Sequence, residues 1–159
     1  MARSNVYTVI TIGGGLALIA VAAWLWFGYE GLLENVELKP HNAEVVTRGK
    51  AVYAAECASC HGQNLEGQPD WRQRGDNGRL PAPPHDASGH TWHHPDQQLF
   101  ELTKLGPAAL VGGGDESDMP GYANTLSDDD IVAVLSYIKS TWPEEIRQRH
   151  DLLNGPRKP

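Results

Sequence analysis

The chain has 159 residues, is 40% hydrophobic and carries a formal charge of −7. That length suits one small domain with extensions. The acidic balance and the lack of a basic stripe exclude a nucleic-acid binder, and two cysteines are too few for a disulfide framework.

Residues 6–29 contain no charged side chain. As a helix they reach roughly 36 Å, enough for a hydrocarbon core of about 30 Å. Tyr7 at one end and Trp24, Trp26 and Tyr29 at the other suit the two interfaces. Ala20-Val21-Ala22 resembles a signal-peptidase site, but the apolar run continues past it through Trp24 to Phe27. A cleavable signal has an apolar region of only about 7–15 residues. The expectation is therefore a retained anchor over residues 1–29. Arg3 precedes the span, whereas Glu30, Glu34 and Glu37 follow it with Lys39 as the lone cation. That asymmetry predicts a cytoplasmic N-terminus.

Residues 30–42, mixed in polarity and carrying Pro40, read as a tether of at most about 45 Å. The main domain is expected over residues 43–142. Its first helix is expected over residues 43–56, where Val45, Val46, Gly49, Val52 and Tyr53 recur at helical spacing. Gly49 costs about 1 kcal/mol in a helix and permits close approach of another helix.

Cys57-Ala58-Ser59-Cys60-His61 comes next. C-x-x-C-H is the signature of covalent haem attachment. Two thiols on one turn reach both vinyl groups of one macrocycle, and the adjoining imidazole meets the iron from the same side. A zinc site needs about four N/S ligands, and no further cysteine exists. A disulfide leaves His61 unexplained, and a thioredoxin-type pair needs a βαβ context that is missing here. One covalent haem c is the expected cofactor, bound by Cys57 and Cys60 with His61 as an iron ligand.

Residues 62–95 are rich in glycine and proline and read as a long loop, of the kind that wraps something. A helix is expected over residues 96–105, between Pro95 and Gly106-Pro107, with Leu99, Leu102 and Leu105 as its buried face. Another is expected over residues 126–142, with Ser127 as N-cap and Asp128, Asp129 and Asp130 in its first turn. Ile131, Val134, Leu135 and Ile138 form its apolar face, and Pro143 ends it. Residues 143–159 form a tail with room for a short helix and no assigned role.

A second iron ligand is expected from Met119, in the loop Asp118-Met119-Pro120-Gly121-Tyr122. Met/His ligation favours ferrous iron. The competing ligands are His85, His90, His93 and His94, whose spacing matches no closed metal-ligand set.

Gly49 and Tyr53 before the motif, Met119-Pro120-Gly121-Tyr122, and the closing residues 135–142 together resemble a class I c-type cytochrome. The resemblance covers roughly residues 43–142. It implies an all-α fold around one haem, with first and last helices crossing near Gly49 and Tyr137. With the anchor, the chain resembles a membrane-anchored bacterial monohaem cytochrome c. The implied setting is the cytoplasmic (inner) membrane, crossed once, with the haem domain in the periplasm. The implied role is one-electron transfer, not enzyme catalysis. Electrons would pass from a cytochrome bc-type donor to a terminal oxidase, a reductase or a photosynthetic reaction centre. A permanent haem subunit of a larger oxidase or dehydrogenase is the alternative, and a haem peroxidase or gas sensor a more distant one. Few lysines (Lys50, Lys104 and Lys139) stand in this domain, so docking by a lysine ring is not implied. The segment from Trp71 to His94, with Arg72, Arg74 and Arg79, exceeds what the family needs and has no assigned role.

Overall fold

A computed structural model describes residues 36–111 and 116–155, as helices and loops with no strand among the described residues. The anchor expected over residues 1–29 and the start of the tether lie outside the described residues. Among the described residues, no helix is long and apolar enough to cross a membrane.

Helix α1 spans Ala43–Val52. Asn42 caps it by accepting hydrogen bonds from the amides of Glu44 and Val45, which satisfies two otherwise unpaired donors. The helix was expected to continue to residue 56. Instead the chain widens into a π-helical turn, Tyr53–Cys57, before the short helix α2, Ala58–His61. Such a turn inserts an extra residue and rotates the next side chains about the helix axis. A 3₁₀ turn at Thr91–His93 leads to α3 (Asp96–Leu105) and α4 (Pro107–Val111). Helix α5 is Asp128–Ser140, shorter than expected at both ends, and α6 is Glu144–Leu153. Ser127 and Asp130 form a full capping box at the start of α5.

Helices α1 and α5 make the principal crossing. At Gly49 an added Cβ would lie 1.9 Å from the Ala133 carbonyl oxygen and 2.9 Å from Tyr137 Cβ. The two backbones touch there, where the family resemblance places the crossing. Arg48 closes its edge with a 2.8 Å ion pair to Asp130. Below it Tyr53, Ile131, Val134, Leu135, Ile138 and Trp142 are buried with Leu65, Leu99 and Phe100.

Two expectations need correction. Residues 36–42 are not free tether: Leu38 is 2% exposed in the core. Its amide donates to Asp96 Oδ2 at 2.9 Å, and the Lys39 amide donates to Ser136 Oγ at 2.9 Å. The body therefore begins at Val36, ahead of the expected residue 43. The tail does hold a short helix, and α6 carries a fully buried His150. On α3, Leu99 is buried as expected, but Leu105 is 49% exposed. Asp96, Phe100 and Thr103 complete the inward face instead.

Candidate haem centre

The C-x-x-C-H motif begins where the π-turn ends. The turn leaves Cys57 half-buried against the apolar core and Cys60 exposed, both as free thiols. Burial, and secondarily the carboxylate of Glu56 and the Cys60 thiol, push the Cys57 thiol up to about 11. Before attachment Cys57 is thus a neutral thiol, not a thiolate.

His61 is buried, 7% exposed. Its Nδ1 lies 2.8 Å from the Pro83 carbonyl oxygen, which can only accept. Nδ1 therefore carries the proton, and Nε2 presents its lone pair. Burial lowers the pKa of this imidazole, and the Pro83 contact opposes that only in part. The ring is neutral, fixed in tautomer and pinned in orientation, as an iron-ligating histidine must be. Around it, Gly62 ends the helix at φ +81°, a conformation suited to glycine. Tyr53 Oη donates to the Gly62 carbonyl at 2.8 Å, and the Gly67 amide donates to that of His61.

Met119 is half-buried in the loop before α5. Two hydrogen bonds bring this loop to the motif and to α3. Tyr122 Oη donates to the Glu56 carbonyl, one residue before Cys57, at 2.9 Å. The Tyr122 amide donates to the Thr103 carbonyl at 3.1 Å. Burial first, then Cys57, raises the Tyr122 pKa, which places the phenol beside the motif as a stable donor. Tyr122 and the start of the motif are therefore neighbours, although 66 positions separate Tyr122 from Glu56 in the chain.

The competing histidines are arranged differently. His85 stacks on His61 with centroids 4.0 Å apart and planes 25° apart. Ligands on opposite sides of one iron meet tip to tip, whereas these rings meet face to face, so His85 stands beside His61. Its Nδ1 is 2.8 Å from Thr91 Oγ1, and burial lowers its pKa strongly. His90 stacks on Trp71, His93 on Trp92, and His94 Nδ1 faces Gln98. Among the described residues no group of three or more His, Cys, Asp or Glu side chains is placed to hold a metal ion directly.

The donor set fits a covalent haem: two free thiols in C-x-x-C-H, a neutral imidazole with one nitrogen engaged, and a thioether segment tied to the same motif. Tyr122 stands in the Met119-Pro120-Gly121-Tyr122 run that carries the resemblance, whereas Pro83, which holds His61, carries no signal in the sequence beyond its residue type. A small helical domain with this motif at the mouth of its core is a covalent haem carrier by class. Residues 46–142 match the Cytochrome c family, and the chain belongs to it. Its fold is similar to the crystal structure of Cytochrome CL from the marine methylotrophic bacterium Methylophaga aminisulfidivorans. The TM-score is 0.51 at 21% identity, covering 82% of this chain and 77% of that one. As a cytochrome c domain the chain binds covalent haem c and serves haem-based electron transfer.

Proposed function

We propose that this chain is a membrane-tethered, periplasm-facing one-electron carrier, with Cys57 and Cys60 as thioethers and His61 and Met119 as axial ligands. One observation carries the ligand assignment. Pro83 holds His61 Nδ1, while Tyr122 ties the Met119 loop to the carbonyl beside Cys57. When bound, the haem supplies the ferric/ferrous couple. The protein's part is to keep both ligand-bearing segments in place in both states, so that little reorganises when an electron arrives. A thioether opposite an imidazole raises the potential.

The anchor over residues 1–29 is supported by the uncharged run 6–29 and the charge asymmetry around it. A tether of this kind holds the carrier near membrane partners at up to millimolar effective concentration. Those partners are a cytochrome bc-type donor and an oxidase, reductase or reaction-centre acceptor.

Spectroscopy of the ferric holoprotein tests the ligands. The wild type should show the near-infrared band of a thioether–iron bond. Met119→His should lose that band, remain six-coordinate and fall in potential. An unchanged spectrum and potential would assign the position to a histidine between residues 85 and 94. Fractionation tests the tether: mature protein should remain with membranes, and a mature N-terminus near residue 23 would refute it. Co-purification of a stoichiometric partner in mild detergent would favour a permanent subunit.

A further inference from the structure

The segment between Trp71 and His94 has arginines with no role in the family's common plan. One of them reaches the distal loop. Arg79 Nε and Nη2 both donate to Glu116 Oε2, at 3.1 and 2.6 Å, and Nη1 donates to Asp118 Oδ1. A single guanidinium thus spans two carboxylates that stand three and one positions before Met119. The fork geometry of arginine allows this, and a lysine point charge does not.

The arm that carries Arg79 is itself braced. The Arg79 amide donates to Asn77 Oδ1, its carbonyl accepts from the Gly75 amide, and Arg74 Nη1 donates to the Gly78 carbonyl. Behind it, the Gln68 amide donates to the Ala82 carbonyl at 2.9 Å. The next residue, Pro83, is the one whose carbonyl holds His61. One segment therefore grips both sides of the site, His61 through Pro83 and the Met119 loop through Arg79. On the loop side the Met119 amide donates to Ser117 Oγ at 3.1 Å, so the residues the arginine holds are continuous with a local turn at the methionine.

We propose that Arg79 is a positioning residue that latches the Met119 loop closed, and that its ion pairs set how readily an outside ligand displaces Met119. The proposal rests on the ligand assignment above. In the exchange the iron–sulfur bond to Met119 breaks and an iron–nitrogen bond to the incoming base forms, with no change of oxidation state. The protein's contribution is the cost of swinging residues 116–119 outward against the guanidinium. Arg79 is about one-third exposed and its partners more so, which makes the latch sensitive to salt.

The test is titration of the ferric holoprotein with imidazole, read by loss of the thioether–iron band, at low and high salt. Arg79→Gln should bind imidazole about fivefold more tightly than wild type at low salt, the range expected for a bridged exposed pair. Arg79→Lys should lie between them. High salt should raise the wild-type affinity toward that of Arg79→Gln and leave the variant nearly flat. Glu116→Gln/Asp118→Asn removes the other half of the latch and should reproduce Arg79→Gln. This second route also serves if the arginine variant folds poorly. A merely structural role would lower the melting temperature without this salt-dependent affinity. Equal imidazole affinities and equal salt responses, with the thioether band present, would overturn the latch alone. Absence of that band in wild type, with Met119→Ala leaving the spectrum unchanged, would overturn the ligand assignment and the latch together.

Discussion

Two ionic networks stand in this domain, built from the same chemistry in opposite surroundings. Arg79 with Glu116 and Asp118 lies at the surface beside the Met119 loop. Lys139 with Asp96 and His150 lies inside, where Lys139 is 1% and Asp96 3% exposed, and Asp151 joins them from the rim. There Lys139 Nζ sits 2.7 Å from Asp151 Oδ1 and 3.7 Å from Asp96 Oδ1. His150 Nε2 is 2.9 Å from the His94 carbonyl oxygen and 3.5 Å from Asp96 Oδ1. Water and salt weaken the first network, so it can open and close at small cost. Water reaches the second at Asp151, 36% exposed, but not at Lys139, Asp96 or His150 unless the core opens, so losing the cation strands the buried Asp96. Electrostatics placed outside serves adjustment, and the same electrostatics inside serves fixity.

The sharpest way to break this contrast is Lys139→Met. It leaves the buried Asp96 and the half-buried Asp151 without their cation and should cost about 3–5 kcal/mol in chemical denaturation. Adding Asp96→Asn should restore part of that loss. A cost near zero would mean that water already reaches Asp96. Next in size, Gly49→Ala tests the crossing on the opposite side of α5. The new Cβ cannot fit 1.9 Å from the Ala133 carbonyl oxygen, so α1 must move off at about 1–3 kcal/mol. Full haem content with unaltered melting would show that the crossing yields freely.

A smaller effect separates the networks by pH. Burial, and next the neighbouring Lys139 cation, lower the His150 pKa, against the pull of Asp96, the His94 carbonyl and Asp151. A histidine depressed in the fold binds its proton more readily when unfolded. Stability from this group is therefore complete above the unfolded value of about 6.5, and declines as pH falls from there toward the folded value. Replacing His150 with Gln should flatten that part of the stability–pH curve. The surface network should show itself in imidazole affinity.

What the sequence made legible was local. The C-x-x-C-H motif, the helix at Asp96–Leu105 and the Ser127 cap are each written within a few adjacent residues, and each stands where expected. The close approach at Gly49 was legible because a glycine in a helix needs a reason. Long-range chemistry was not legible. Asp96 read as the polar start of a helix, although it is a buried acceptor for the Leu38 amide, 58 positions away. His150 sat in a tail without a role, and residues 36–42 read as tether because one leucine carries no periodicity. The link from Tyr122 to Glu56 spans 66 positions, and nothing in either residue announces it.

Asp96 also has a mechanical meaning. Its side chain accepts from Leu38 near the first described residue, and its backbone amide donates at 2.7 Å to Asn154 near the last. Chain entry and chain exit are fastened to one buried residue at the head of α3. A force arriving along the chain at Val36 meets Leu38 and Asp96 first and is carried across to α6. The C-x-x-C-H motif takes no part in those two hydrogen bonds, so a pull at Val36 strains the fastening first.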